Sequence, residues 1–147
     1  MAKVRLRRKG DAGKHIDGIR RALAGPDFVK VGLPSGAAGK DLVAIAMFNE
    51  FGTRTAPERP FMRNALRGNR GHYIDAMSAG AGRIMRLETT KVMVLRQLGV
   101  KASGDIQREM PGTPPPNKPS TIERKGSSTT LVDTGRLRQS VTWKLGE

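Results

Sequence analysis

The sequence has no cysteine, and aromatic residues make up only 4% of its 147 residues. The lack of cysteine excludes a disulfide framework and excludes metal or thiol chemistry based on cysteine. With so few aromatic side chains and with 18 glycines, the chain has limited apolar volume to bury. We therefore expect one domain with a small core that is helped by packing against other subunits or partners.

Long apolar runs are also missing. No stretch approaches the roughly 18 apolar residues that a membrane span requires. The basic N-terminus is not followed by an apolar segment, so it does not have the pattern of a secretory signal. These two observations predict a protein that does not enter a membrane and that is made and stays in a cytoplasm.

Acidic residues are scarce, with 13 Asp/Glu against 27 Lys/Arg and a net charge of +14. Residues 1–40 hold half of this excess, and five bases lie within the first nine residues: Lys3, Arg5, Arg7, Arg8 and Lys9. We predict that residues 1–10 form a flexible basic arm before a single domain of residues 11–147. Such an arm is either a solvated tail, a contact with a partner protein, or a contact with DNA phosphates that does not read sequence.

The apolar pattern predicts a mixed fold. Residues 28–33 and 141–145 alternate as strands do, and we expect them to pair. Helical spacing covers residues 16–23, 42–51 and a long region from Leu66 to Leu98, with a break near residues 68–71. For residues 42–51 a helix is favoured, although Ala44 and Ala46 would also allow a strand. A further short helix is predicted around Ile106 and Met110, and Ser120 and Asp133 are predicted to cap two short helices. Residues 112–119 form a proline-rich connector that could reach a neighbouring subunit.

Residues 49–66, which we call the elbow, lead from the helix of residues 42–51 into another helix that begins near Pro60. Gly52 suits the exit from a helix, because glycine adopts a positive φ at little cost. Pro57 and Pro60 fix the backbone, and proline is favoured at the first position of a helix. The elbow is therefore predicted to be stiff and to hold its charged side chains at fixed places on a surface.

Three patterns in the sequence resemble those of enzymes. Residues 131–135 spell the core of an aspartic protease, but that chemistry needs two carboxylates that share a proton, so Asp133 would require a dimer. Residues 36–41 only faintly resemble a phosphate-binding loop, and Asp41 stands where the Mg²⁺-binding hydroxyl should be. His15 and His72 are isolated from other metal-binding or catalytic residues. A helix cap is the favoured role for Asp133.

Two blocks of sequence resemble the tail-completion or head–tail joining (neck) proteins of long-tailed bacteriophages. The first is NEFGT followed by PERPFMRNA, with matches at Glu50, Phe51, Gly52, Thr53, Pro57, Arg59, Pro60, Phe61, Arg63 and Ala65. The second is PPPNKPSTIERKGSSTTLVDTGRLRQSVTW, with matches at Leu131, Asp133, Thr134, Gly135, Leu137 and Ser140. Together with VKVGLP, these blocks cover about half of the chain.

The resemblance implies an α+β fold in which a small antiparallel sheet is packed by one long and several short helices. It also implies no catalysis, no cofactor and no metal. The protein would form a homo-oligomeric ring, predicted to be a hexamer, in the neck of the virion after assembly in the host cytoplasm. Its partners would be head-closure or connector proteins on one side and the tail terminator or tail tube on the other, with packaged DNA passing through the ring.

Within that role, charged and polar residues of the first block are predicted to contact a subunit or partner: Glu50, Thr53, Arg54, Glu58, Arg59 and Arg63. The remaining motif residues are predicted to be structural: Phe51, Gly52, Pro57, Pro60, Phe61, Asp133, Thr134, Gly135 and Leu137. Among them, Phe51 and Phe61 are predicted to anchor the elbow to the core. The bases of the arm, from Lys3 to Lys9, are candidate contacts with DNA or a partner. The alternative functions are a free-standing basic nucleic-acid-binding module and a dimeric aspartic protease.

Overall fold

The structure is a computed structural model that describes residues 9–34, 38–131 and 135–146. The described elements are α1 (Lys9–Ala22), β1 (Val29–Gly32), α2 (Lys40–Phe51), α3 (Phe61–Gly68), α4 (Arg70–Met85), α5 (Lys91–Glu109), a 3-10 helix (Met110–Gly112), α6 (Pro119–Lys125), α7 (Arg136–Ser140) and β2 (Thr142–Leu145). The fold is α+β, as predicted, and α5 is its longest helix.

The two strands pair antiparallel, which confirms the predicted pairing of residues 28–33 with 141–145. Val29 faces Leu145 and Val31 faces Trp143 in the register of the pair. One more backbone bond, from the Gly146 N–H to the Phe28 carbonyl at 2.9 Å, extends the ladder past the strand ends. A two-stranded ribbon is marginal by itself, so it needs a helix to cover one face.

Helix α5 provides that cover and contacts α3, α4 and both strands. Gly99 is essential to this packing, because a Cβ atom there would lie 2.7 Å from the indole ring of Trp143. The predicted separate helix around Ile106 and Met110 is wrong. Ile106 lies inside α5 and Met110 begins the 3-10 helix. Gly99 serves close packing against Trp143 and does not interrupt the helix.

The core lies where α2, α3, α5 and α7 meet. Phe61, Ile106 and Met110 are completely buried, and Val141 is nearly so. The same cluster contains three further buried residues, Ala46, Ala65 and Leu137. The core is therefore small and draws on both sequence blocks, since Phe61 comes from the first and Leu137 from the second.

Helix boundaries agree with the sequence in some places and differ in others. The predicted break near residues 68–71 is confirmed, because α3 ends at Gly68 and α4 begins at Arg70. Helix α1 begins at Lys9, so its start overlaps the end of the predicted arm. The predicted cap at Ser120 is wrong, because α6 begins at Pro119 with Lys118 in the cap position.

The predicted apolar stripe from Leu66 to Leu98 is only partly buried. Ile84 and Leu95 lie in the interior, whereas Leu66, Met77 and Leu87 are exposed. The stripe is divided among α3, α4 and α5, so one stripe in the sequence does not become one face. Within the described ranges, no helix combines the length and apolar character needed to cross a membrane.

Candidate functional site

The elbow leaves α2 through a tight backbone turn. Gly52 has φ of 73° and ψ of 179°, a conformation that is essentially restricted to glycine. A Cβ atom there would lie 2.9 Å from the backbone nitrogen of Glu58. Beyond it, the Thr53 N–H donates to the Ala56 carbonyl at 2.8 Å, and the Thr53 hydroxyl oxygen accepts from the Ala56 N–H at 3.0 Å. Gly52 is therefore structural, as predicted.

Glu50 caps the helix on the other side of the elbow. Its carboxylate, in a residue only 5% exposed, accepts the Met62 N–H at 2.9 Å and the Arg63 N–H at 3.0 Å. The first N–H groups of a helix have no partner within the helix, so an anion there satisfies them and complements the helix dipole. The prediction that Glu50 contacts a partner is wrong, because its carboxylate is buried and bonded inside the chain.

Arg63 joins both ends of the elbow. Its guanidinium donates from Nε to the Glu50 carboxylate at 3.1 Å, and from a terminal nitrogen to the Glu50 carbonyl at 2.6 Å and to Glu58 at 2.9 Å. The hydrogen bond with Glu58, followed by that with Glu50, raises the pKa of Arg63. The guanidinium also lies 5.5 Å from the ring centre of Phe51. Arg63 and Glu58, both predicted partner contacts, thus bond within the elbow.

Arg59 holds the proline-rich connector. Its Nε donates to the Pro115 carbonyl at 2.9 Å and a terminal nitrogen donates to the Pro116 carbonyl at 3.3 Å. The connector, predicted to reach a neighbouring subunit, therefore packs against the elbow of its own chain. The prediction that Arg59 faces a partner is therefore wrong for the two N–H groups that bond to these carbonyls. Carbonyl groups carry no net charge, so the positive charge of Arg59 stays uncompensated.

The two phenylalanines at the elbow have opposite environments. Phe61 is 0% exposed in the core, as predicted for an anchor, and Pro60 directly before it is the residue that precedes α3. Phe51 is 66% exposed, so its predicted role as a second anchor is wrong. Thr53, Arg54 and Pro57 are also exposed. Of the predicted partner contacts, Thr53 and Arg54 are exposed, and among the described residues no acidic side chain pairs with Arg54.

The second block is described only in part. Gly135 has φ of 77° and directly precedes α7, and Leu137 is buried, which agrees with their predicted structural roles. Asp133 and Thr134 lie outside the described residues, and so do Lys3, Arg5, Arg7 and Arg8 of the arm. Lys9 is the first residue of α1.

A surface that the sequence reasoning missed lies on the outward side of α2. Met47, Phe48 and Phe51 are 55%, 58% and 66% exposed, and we call them the α2 outer surface. Apolar residues occur all round α2, while only Ala46 and Glu50 of this helix are buried. A helix that is apolar on every side is normally buried on every side. The α2 outer surface therefore has the character of an interface.

On another side, α2 borders a groove of about 500 Å³. Its other walls come from the elbow, the connector, α6 and α7. Leu42, Ile45 and Leu131 form its apolar part, and Arg59, Arg124 and Arg136 bring three positive charges to it. The groove joins residues from both sequence blocks, which are more than fifty positions apart.

A polar cluster around the buried Asp105, also missed from the sequence, fastens α4 to α5. The Tyr73 hydroxyl donates to the Asp105 carboxylate at 2.9 Å, and Arg108 pairs with the same carboxylate at 2.8 Å. Burial, and then the hydrogen bond with Asp105, raises the pKa of Tyr73. Tyr73 belongs to α4 and Asp105 to α5, so the hydrogen bond between them ties the two helices together.

No group of three or more His, Asp or Glu side chains that could hold a metal occurs in the part of the chain that is described. Comparison of the chain with family models, with curated proteins and with solved structures finds no match.

Proposed function

We propose that this chain is a structural protein of the head–tail connector of a long-tailed bacteriophage. It forms a ring, predicted to be a hexamer, that completes the tail and joins it to the DNA-filled capsid. Its neighbours would be head-closure proteins and the tail terminator or tail tube. It would act in the neck of the virion after assembly in the host cytoplasm. The proposal includes no catalytic step.

The observation that carries the proposal is the meeting of the two motif blocks in space. Arg59 of the first block bonds to Pro115 and Pro116 of the second, and Phe61 packs in one cluster with Leu137. Two motifs that are distant in sequence but share one core and one groove support a resemblance of the whole fold, rather than a chance match of two short strings.

The α2 outer surface supports a role in assembly. A ring repeats one heterologous contact until it closes, so each subunit needs an exposed surface that another subunit covers. Three large apolar side chains next to a rigid elbow meet that requirement. The small core of the chain agrees with it too, because subunit contacts would add stability that the isolated chain lacks.

The basic charge fits a channel for DNA provided that the binding is loose. Each phosphate neutralised by Lys or Arg strengthens binding, and tight binding would hold back DNA during ejection. The same charge favours the second candidate, a free-standing nucleic-acid-binding module. Salt-sensitive DNA binding by a protein that forms no ring and enters no virion would favour that candidate.

Electron microscopy of phage particles assembled without this chain tests the proposal. We expect separate DNA-filled heads and finished tails, and joined particles once the wild-type chain is supplied in trans. Joined and infectious particles in the absence of the chain would contradict a neck function.

A further inference from the structure

The groove beside α2 has the dimensions of a binding site. Its volume of about 500 Å³ lies within the range of roughly 300–1,000 Å³ that is common for ligand sites. The walls include α2, the elbow and α7, so much of the groove is carried by regular or internally bonded segments. A site on such segments is largely formed before a ligand arrives, which reduces the ordering cost of binding.

The charges on the described lining of the groove are all of one sign. Arg59, Arg124 and Arg136 line it, and the described lining contains no Asp or Glu. Arg59 is fixed by the Pro115 and Pro116 carbonyls, which accept two of the five guanidinium N–H groups but carry no net charge. A fixed arginine with remaining donors is suited to a carboxylate, which it can bind through two parallel hydrogen bonds.

The uncharged part of the groove offers two further kinds of contact. Leu42, Ile45 and Leu131 provide aliphatic surface. Asn49 and Asn117 donate their amide N–H groups to backbone carbonyls of the chain, which leaves their side-chain carbonyl oxygens as acceptors for a backbone N–H. Aliphatic pockets, backbone acceptors and guanidinium groups together match an extended acidic peptide.

We propose that this groove binds a short segment of a partner protein in which carboxylate side chains alternate with aliphatic ones. Nucleic acid is the less suitable ligand, because the lining residues that the structure describes include no aromatic side chain on which a base could stack. The basic arm of a second copy is unsuitable as well, because its cations would be repelled by the three arginines. The partner is therefore an acidic protein.

The first experiment is selection from a random peptide library displayed on particles, with the purified full-length chain as the target. We expect the selected peptides to be enriched in Asp or Glu next to Leu, Ile or Val. The best peptide is then synthesised with a fluorescent label, together with a version in which Asn and Gln replace Asp and Glu. Fluorescence polarisation should show binding of the acidic peptide and at least about tenfold weaker binding of the amide version.

Matched variants locate the site. Arg124→Gln/Arg136→Gln should weaken binding of the acidic peptide about tenfold, while Arg67→Gln/Arg70→Gln, which removes the same charge from exposed positions outside the groove, should leave it nearly unchanged. Ile45→Ser should weaken binding, and Met47→Ser, on the outward side of the same helix, should not. Circular dichroism checks that each variant keeps the wild-type fold.

Three results would overturn the proposal: selected peptides without enrichment in acidic residues, equal losses in the groove variant and its control, or displacement of the peptide by a short DNA oligonucleotide that binds more tightly. The measurements use the purified chain alone. A negative result in these measurements would therefore not contradict the proposed function in the neck. Conversely, joined particles assembled without the chain would contradict the neck function but not the peptide site.

Discussion

Glu50 and Phe51 are adjacent in the sequence and belong to opposite regions of the molecule. Glu50 is 5% exposed, and its carboxylate caps α3 while its carbonyl accepts from Arg63. Phe51 is 66% exposed and belongs to the α2 outer surface. One side of this short stretch is closed on itself by hydrogen bonds and core packing, whereas the other presents apolar area that nothing in the described chain covers.

This difference shows that residues of the first sequence block have two different roles. The closed side holds the chain in shape, and its charged residues are occupied with one another. The open side is free to make contacts between molecules. Most of the charged residues in the motif therefore contribute to folding, and the apolar ones on α2 are the better candidates for recognition. The following predictions test that division, in order of decreasing effect on stability.

Phe61→Ala should lower the free energy of unfolding by about 3–5 kcal/mol, because it leaves a cavity in the core. Phe51→Ala is the matched control, with the same atoms removed from the exposed side of the elbow. It should cost less than about 1 kcal/mol, mainly from the lost contact with Arg63. Urea denaturation followed by tryptophan fluorescence measures both. Equal losses would contradict the division.

Glu50→Ala should cost about 2–3 kcal/mol, because it leaves the first N–H groups of α3 and the Arg63 guanidinium without their anion. Glu58→Ala removes the other carboxylate that is bonded to Arg63. Because the Glu58 side chain is 59% exposed, this change should cost less than about 1 kcal/mol. Thermal and urea unfolding of the two variants provide the comparison. A larger effect at Glu58 would mean that the exposed ion pair, and not the cap, holds the elbow.

Gly52→Ala should cost about 2 kcal/mol, because it places a side chain in a backbone region that only glycine occupies readily, against the Glu58 backbone. Gly126→Ala is the control, since Gly126 also has a positive φ but no atom within 4 Å of the added Cβ. It should cost about 1 kcal/mol. If Gly52→Ala were the milder change, close packing of the elbow would be refuted.

Tyr73 is half-buried and bonded to Asp105, and its ionisation should make the stability of the fold depend on pH. Burial raises its pKa in the folded state, so the unfolded chain loses the phenolic proton first as the pH rises past about 10. The unfolded state then binds fewer protons, and stability must fall with further increase in pH. Since the chain has one tyrosine, phenolate absorbance reports this group alone.

In Tyr73→Phe this part of the alkaline loss should vanish, whereas stability near neutral pH should fall by about 1 kcal/mol through loss of the bond to Asp105. Denaturant midpoints measured at neutral and alkaline pH separate the two effects. Identical alkaline slopes for the wild type and the variant would show that Tyr73 titrates normally.

Phe48→Ser should change the free energy of unfolding by less than about 0.5 kcal/mol, because its ring is largely exposed in the isolated chain. Incorporation into virions should nevertheless be lost if the α2 outer surface is a subunit contact. Ile74→Ser, at an equally apolar and exposed position on α4, is the control and should be incorporated normally. Normal incorporation of Phe48→Ser would place the contact elsewhere.

The sequence was sufficient to predict the strand pair, the helix on each side of the elbow and the α+β class. The strand pair follows from the alternation in residues 28–33 and 141–145, and the start of α3 follows from the proline that precedes it. Helix α2 was predicted as a helix, but apolar residues on all sides give no information about which side faces inward. For that reason Phe51 was wrongly expected to anchor the elbow.

The role of Glu50 was hidden for a different reason. Capping signals are normally sought within three or four residues of a helix start, whereas Glu50 reaches α3 from twelve positions upstream through the turn at Gly52. Such a contact exists only after the elbow has folded. Likewise, Gly99 looks like a helix breaker until Trp143, more than forty residues later, is seen to require the space.

The cap supplied by Glu50 has a consequence for how the chain tolerates changes in length. The bonds of Glu50 hold both ends of the loop between α2 and α3. They therefore already offset the entropy that is lost when that loop is closed. Doubling the length of such a loop costs only about 0.6 kcal/mol. The exposed tip around Arg54 is therefore a place where residues can be inserted while α2 and α3 keep their relative position.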